Sequence, residues 1–388
     1  FDTAYPGQYL KIDLGEYILP KQLTIAPVAG ADVNKQPKDF RLYGAQILQG
    51  ATIYEEGTLR QPTNIPGTND WYYAFTSTSG TNSITFHENT ECDVLVVGGG
   101  GGGGNYNAGG NYEKGGGGAG AYEYVENVTF EGTYNITVGA GGAISGKGGD
   151  TKIIKDGTEL YTCEGGGSGG GIDGIGGSGG SGGGGNWYYD GGNANNQLKG
   201  NNGAPGTRNG GKNQGGGGGG AGSAGNLNNG GDGLSNSITG TLTYYAGGGG
   251  GNGNNATAGT GGLGGGGRGS SSSVVALAGE DGKGGGGGGG YYVGSKAGGK
   301  GGSGIVIIRW TVTNSDKYML LLDHQTTESM APSTERTYPL VPDEPIEPIA
   351  CRYFTLVVQS TYAESPITTD TKISEMELYG YEQRPFNL

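Results

Sequence analysis

The sequence predicts an all-β fold with a glycine-rich domain in its middle, and three observations lead to this prediction. Most of the 94 glycines lie between Gly98 and Gly304. Two short apolar segments, Asp93–Val97 and Ile305–Arg309, frame this stretch. Alternating apolar and polar residues recur near both ends of the chain, which is the period of a β-strand with one buried face.

The first 44 residues are predicted to form strands joined by turns. Gln8–Leu14 alternates, so that Tyr9 faces away from its apolar neighbours. We expect a turn at Gly15-Glu16, a second strand over Gln22–Ala26 and a third over Asp39–Gly44. Together these segments predict the edge of a β-structure that needs further strands to complete it.

These segments resemble a known β-sandwich family, and the resemblance continues at the other end of the chain. Gly7–Gly15 matches GxYLxIDLG, and Pro37–Gly44 matches P-x-DFRLYG. The pattern resumes at Lys317–Asp323 and Cys351–Val358 and closes with Lys372–Gly380, similar to ISELELYG. These motifs resemble the discoidin-like (coagulation factor 5/8 type C, galactose-binding-like) sandwich.

The resemblance implies one discontinuous sandwich made from residues 1–45 and 313–388. No counterpart of the family's opening strand precedes the match, so we expect that strand to come from upstream sequence or from another subunit. Between the two halves lie a short β linker or subdomain, residues 46–90, and a glycine-rich domain, residues 91–312.

Glycine at this density cannot build an ordinary core, because it has no side chain to bury and loses the most entropy on ordering. One interpretation is a disordered, low-complexity segment. The other is a folded lattice of polyglycine-II-like helices, with three residues per turn and a rise of ~3.1 Å, that satisfy one another's N–H and C=O groups. The framing strands favour the lattice, because a disordered linker needs no matched strands at its two ends.

Three motifs of this region resemble a second family. DVLVVGGGGGGG, YNITVGAGG and GGSGIVIIRW occur in that order within Ile84–Trp310. They resemble a glycine-rich domain of bacteriophage tail-fibre proteins and of surface proteins of large algal DNA viruses. The resemblance implies a structural role on a virion surface or fibre, with receptor contact as an additional role.

Charge and composition exclude several classes of partner. The formal net charge is −13. Nucleic acid is bound largely through Lys and Arg that neutralise phosphates, and anionic membranes attract basic segments, so we expect neither partner. No apolar run approaches the roughly 20 residues that would span a bilayer. Cys92, Cys163 and Cys351 show no metal-ligand spacing, and buried free thiols are favoured over a Cys92–Cys163 bridge.

No catalytic, cofactor or metal site is predicted. GxGxxG recurs by chance in sequence this rich in glycine, without the strand, helix and acidic residue of a dinucleotide site. No Gly-Lys pair is followed by Ser or Thr, so a P-loop is excluded. The two histidines, His87 and His324, lie in different predicted domains. We therefore expect a protein that is not an enzyme and needs no cofactor.

Two sets of residues are candidates for modification or binding. The sequons at Asn127, Asn135 and Asn255 would carry glycans if the chain is secreted, although sequons also arise by chance in Asn-rich sequence. The exposed rings of aromatic clusters stack on sugars, and packing against backbone is the competing role for these side chains. The candidate aromatic residues are Trp187, Tyr188, Tyr189, Tyr291 and Tyr292.

The function expected from the sequence is a non-enzymatic structural protein of a virion surface or fibre that self-associates or cements neighbouring subunits. Its partners would be other virion or fibre subunits, including copies of this chain. One alternative is an adhesin that binds a carbohydrate or receptor on a host surface, and another is a cellular extracellular filament or matrix protein. In each case we expect the chain on a virion surface or outside the cell.

Overall fold

The structure is a computed structural model that describes most of the 388 residues. The described ranges are 8–26, 37–45, 51–105, 113–171, 174–209, 212–253, 257–291, 296–312, 318–324, 336–339, 351–361 and 375–382. The chain divides into two compact units. Residues 1–48 and 313–388 form the terminal unit, and residues 49–312 form the inserted unit.

The fold is all-β, as predicted, and no helix occurs among the described residues. The strands are, in chain order, β1 (Gln8–Ala26), β2 (Pro37–Ala45), β3 (Ala51–Glu55), β4 (Thr58–Arg60), β5 (Thr63–Asn64), β6 (Asp70–Phe75), β7 (Asn82–Val97), β8 (Tyr122–Thr137), β9 (Thr151–Lys155), β10 (Thr158–Cys163), β11 (Thr207–Asn209), β12 (Lys212–Gln214), β13 (Leu234–Asn236), β14 (Thr243–Tyr245), β15 (Ile305–Thr311), β16 (Tyr318–His324), β17 (Arg336–Pro339), β18 (Cys351–Thr361) and β19 (Glu375–Glu382).

The terminal unit contains a six-stranded sheet built from both ends of the chain. Its order is β16-β2-β18-β1-β17, and β19 also pairs with β1. All of these pairs are antiparallel. β2 lies between two strands that follow it by about 270 residues or more, so neither end of the chain completes this sheet alone.

The turn predicted at Gly15-Glu16 is wrong, because these residues lie inside the 19-residue strand β1. The first part of β1 pairs with β18 and its second part pairs with β17 and β19. The register with β18 shifts between Asp13 and Ile18, which marks an irregularity where the strand changes partners. A β-bulge bends a strand without ending it, and this is how the polar Gly-Glu pair is accommodated.

The inserted unit contains a nine-stranded sheet in which the two predicted framing strands are neighbours. Its order is β10-β9-β8-β7-β15-β6-β5, with β3 bridging β7 and β4. β7 and β15 pair antiparallel, with Val97 opposite Ile305 and Val94 opposite Ile308. Of residues 46–90, predicted as a linker or small subdomain, the described part 51–90 contributes β3 to β6 and the first part of β7 to this same sheet.

Both faces of the central strands are buried. One face of β15 contributes Val306, Ile308 and Trp310 to a cluster with Phe75, Phe86 and other side chains. The other face contributes Ile305 and Ile307 to a smaller cluster around Leu95, Val97 and Ala119. Since side chains alternate along a strand, this near-continuous apolar run is what a strand covered on both sides requires.

The hairpin predicted at Asp156-Gly157 is confirmed. β9 and β10 pair antiparallel, with Lys155 opposite Thr158. Asp156 and Gly157 have φ angles of 49° and 78°. Positive φ at both central residues is the requirement of a type I′ turn, which Asp-Gly meets at low cost.

Candidate functional site

The glycine tracts of the inserted unit form a hydrogen-bonded lattice. Successive N–H groups of tract 98–104 donate to three different neighbouring tracts in turn. The first, fourth and seventh bond to 115–121, the second and fifth to 146–149, and the third and sixth to 299–302, with N···O distances of 2.8–2.9 Å. The direction of donation therefore repeats every three residues.

The carbonyl groups of the same tract accept bonds from three further tracts. These donors lie in 142–145, 166–169 and 287–290, again at 2.8–2.9 Å. Tract 98–104 thus has six neighbours and leaves none of its N–H groups without an acceptor. Buried backbone groups must be paired, and the lattice meets that requirement without a sheet.

Tract 115–121 repeats the arrangement. It donates to 164–170, 216–219 and 284–287 and accepts from 98–104, 181–184 and Gly249. A repeat of three residues is the period of a polyproline-II-type helix. The period is a property of the hydrogen bonds; the polyglycine-II conformation of the tracts stays a prediction.

The lattice requires glycine because backbones approach where side chains would stand. A Cβ atom on Gly116 would lie 2.1 Å from the carbonyl oxygen of Gly249, and one on Gly118 would lie 2.2 Å from that of Ser181. At the end of tract 115–121 that meets the sheet, alanine replaces glycine at positions 119 and 121. Ala119 is fully buried and packs in the smaller apolar cluster beside Leu95.

The tracts run between the nine-stranded sheet and an opposite end, which we call the distal end. Tract 98–104 begins directly after Val97 of β7, so Gly104 is its far end. The Gly104 N–H donates to Gly115, and tract 115–121 then returns to the sheet at Tyr122 of β8. The turn 186–190 lies at this distal end, because the Trp187 N–H donates to the carbonyl of Glu113 at 3.3 Å.

Three of the aromatic residues predicted to bind sugar are consecutive in the turn at the distal end. Trp187 and Tyr188 have ring centroids 4.3 Å apart, tilted by 42°. Tyr188 and Tyr189 are 53% and 48% exposed. A Cβ on Gly174 would lie 2.3 Å from a ring carbon of Tyr189, so this ring rests directly on glycine backbone. The exposed fractions show that both tyrosine rings are accessible to solvent.

The structure adds a cation to this cluster. The Arg208 guanidinium, on β11, lies 5.4 Å from the centroid of Trp187 and 5.3 Å from that of Tyr188. Arg208 follows Trp187 by 21 residues and lies between Thr and Asn, so no sequence motif connects it with the aromatic run. We call Trp187, Tyr188, Tyr189 and Arg208 the distal aromatic surface.

Tyr291 is placed differently. Its side chain is only 2% exposed and its backbone pairs with Lys296 at 2.8 Å and 2.9 Å. A ring this deeply buried offers no face to a sugar in this conformation. Tyr292 lies outside the described residues.

A buried polar pair, which the sequence analysis missed, also lies at the distal end. Glu113 and Lys114 are 1% and 0% exposed. Burial raises the pKa of the Glu113 carboxyl and lowers the pKa of the Lys114 amine, while the attraction between the two groups opposes both shifts. Asn252, whose N–H donates to the Lys114 carbonyl, is also fully buried. No pattern in the sequence around these two charged residues indicates that they are buried.

The two described thiols are inert by position. Cys92 and Cys163 are free and buried, which confirms the expectation of free thiols over a bridge. Burial, and then the negative charge of Glu123, raises the pKa of Cys163 to about 12. Burial likewise raises the pKa of Cys92. Thiolates are the reactive form, so neither sulfur is set up as a nucleophile.

Of the three sequons, two fall on described residues. Asn127 is exposed with a φ of 56°, and Asn135 is exposed on β8. Both positions leave room for a glycan. Asn255 lies outside the described residues, as do the side chains of His87 and His324.

The described part of the chain contains no group of three or more His, Cys, Asp or Glu side chains that could hold a metal ion. Among the same residues, no helix has the length and apolar character to cross a bilayer.

A comparison with protein families assigns the lattice and its framing strands β7 and β15 to a known class. The model of a family described as a glycine-rich domain matches residues 76–311, which is more than half of the chain. The chain belongs to this glycine-rich domain family. A comparison with curated proteins returned no match.

Proposed function

We propose that this chain is a non-enzymatic structural protein of a virion surface or fibre, which self-associates or cements neighbouring subunits. The observation that carries the proposal is the glycine lattice. Its interior consists of backbone groups bonded to one another, and the closest backbone contacts leave no room for side chains that could perform chemistry. Such a body is suited to stiffness and durability.

The topology supports the role of a separate body inserted into the chain. The chain leaves the sheet at Val97 and returns to it at Ile305, and these residues face each other across β7 and β15. The glycine tracts, residues 98–304, therefore begin and end at the same end of the nine-stranded sheet. We infer that the terminal unit is the anchoring part. We assign it to the discoidin-like sandwich on the motifs divided between its two halves and on the pairing of β2, from the first half, with β16 and β18, from the second.

The test is the assembly state of the full recombinant chain. Light scattering and negative-stain electron microscopy over a concentration series should show ordered multimers or filaments. Tyr188→Ala, which alters only the distal aromatic surface, is the matched control and should assemble like the wild type. A chain that stays monomeric at the highest concentrations would contradict the self-association. The virion location is tested with an antibody raised against the chain, and failure of this antibody to label intact virus particles would contradict it.

A second candidate function is a carbohydrate-binding adhesin, and the distal aromatic surface favours it. Exposed tyrosines combine a flat apolar face with a hydroxyl that binds sugar hydroxyls. Two such rings stand at the end of the inserted unit that is remote from its chain ends. A glycan array probed with the full chain tests this function: saturable binding that Tyr188→Ala abolishes supports it, and the absence of any binding contradicts it.

A further inference from the structure

The Arg208 guanidinium combines a fixed position with free donors. It lies within 5.4 Å of two ring centroids, and no ion pair or side-chain hydrogen bond engages it within the described ranges. A guanidinium over an aromatic face is held by cation–π attraction, which leaves the N–H groups at its edge available. The rings therefore orient the group without neutralising it.

The turn beside Arg208 exposes two tyrosine residues that could contact a sugar ring. Tyr188 is about half exposed, although Arg208 lies against it, and Tyr189 is exposed to a similar extent. The ring of Tyr189 packs against the backbone of Gly174, which limits its movement. A pyranose presents an apolar face of C–H groups, and rigid aromatic side chains contact such faces at low entropic cost.

The charge of the ligand follows from the cation. A guanidinium fork matches the two oxygens of a carboxylate, and such bidentate pairs are stronger than neutral hydrogen bonds. The nearby Lys114 is fully buried and offers no charge at the surface, whereas Arg208 is exposed. A polyanion such as nucleic acid is bound through many cations, whereas one carboxylate needs only one guanidinium.

We propose that the distal aromatic surface binds a carbohydrate that carries a carboxylate, with the sugar ring on Tyr188 and Tyr189 and the carboxylate on Arg208. The proposal rests on the adhesin function and narrows its ligand to acidic sugars, namely uronic or sialic acids. Arg208 is the residue that determines specificity, and the two tyrosines supply the affinity shared by all sugars.

The experiment measures binding of the full chain to matched pairs of glycans. Each acidic glycan is compared with the same glycan after reduction of its carboxyl group to an alcohol, and with a sulfated counterpart. We expect the carboxylate form to bind about tenfold or more tightly than the alcohol, since a hydrogen bond to a charged group contributes about 1.5–3 kcal/mol. This preference should weaken as salt is added.

Two variants and a control separate the parts of the proposal. Arg208→Gln should bind the acidic glycan and its alcohol form with equal, weak affinity. Tyr189→Ala should lower the affinity for both glycans. Tyr244→Ala is the control, because Tyr244 is 39% exposed on β14, outside the distal aromatic surface. Circular dichroism should show Arg208→Gln folded like the wild type, since Arg208 is exposed.

Each outcome has one meaning. The proposal of an acidic ligand bound by Arg208 is overturned if the wild type binds acid and alcohol equally, or if Arg208→Gln keeps the preference for the acid. Neither result contradicts the adhesin function. Preference for the sulfated form over the carboxylate overturns the carboxylate assignment. Binding of no glycan of any kind overturns the adhesin function itself.

Discussion

A Cβ atom on Gly103 would lie 2.0 Å from the carbonyl oxygen of Gly288 and 2.4 Å from the carbonyl carbon. The two residues are far apart in the sequence, yet their tracts are direct neighbours in the lattice. Neither backbone can give way, because each is hydrogen-bonded to other tracts as well. This relationship, repeated across the tracts, is the physical reason for the glycine content of the chain.

Gly103→Ala should therefore destabilise the inserted unit strongly. Overpacking in a core costs typically 1–3 kcal/mol where side chains can shift, and here the obstacle is backbone, so we expect about 3 kcal/mol or more. Gly171→Ala is the matched control, since its nearest contact would be Ser145 Oγ at 3.6 Å. Urea unfolding of both variants gives the comparison. Equal midpoints would mean that the tracts can separate.

Amide hydrogen exchange distinguishes a lattice from a disordered glycine segment. We expect the amides of tracts 98–104 and 115–121 to be protected as strongly as those of β7 and β15, because each donates to a carbonyl at 2.8–3.3 Å. Mass spectrometry of peptic fragments measures this, with the chain in denaturant as the unprotected reference. The lattice would be contradicted if the amide hydrogens of the tracts exchanged completely before the first time point while those of β7 stayed protected.

The buried thiols give a third prediction. In a Cys351→Ser background, Cys92 and Cys163 should not react with a thiol reagent at pH 8 until the chain unfolds, and both should then react. The raised pKa of Cys163 also has a stability consequence. The unfolded chain ionises first as pH rises above about 9, so the thiol's contribution to folding falls in alkaline solution. Rapid labelling of native protein would show that the sheet opens locally.

Glu113 predicts a pH dependence of the opposite kind to an ordinary surface carboxylate. Burial raises its pKa above 4.5 in the folded chain, so the unfolded chain releases the proton first and stability falls as pH rises through that range. Glu113→Gln should unfold at a higher urea concentration than the wild type at pH 7, with the gain disappearing near pH 4.

The lysine beside this carboxyl contributes with the opposite sign. Burial lowers the pKa of Lys114, so its contribution to folding rises with pH. Both chains keep Lys114, so the difference in stability between them at each pH reports on Glu113. If the wild type is the more stable form at pH 7, Glu113 is ionised in the folded chain and its attraction to Lys114 outweighs burial.

Local chemistry made part of this fold predictable. The apolar framing strands and the Asp156-Gly157 turn follow from rules that act over a few residues, and both were placed correctly. The continuity of β1 through Gly15 was missed, because partner strands more than 300 residues away override the local turn preference. Arg208 was missed for a related reason: its contact with Trp187 depends on how the tracts fold back at the distal end.

The three-residue period of the hydrogen bonds constrains how this chain can change in evolution. One residue added to tract 98–104 would rotate every later donor by about 120° and direct it to the wrong neighbour. An addition of three residues would restore each donor to its own neighbour and only lengthen the tract. Length variation within tracts should therefore occur in multiples of three, whereas the turns at the distal end can vary by any number of residues.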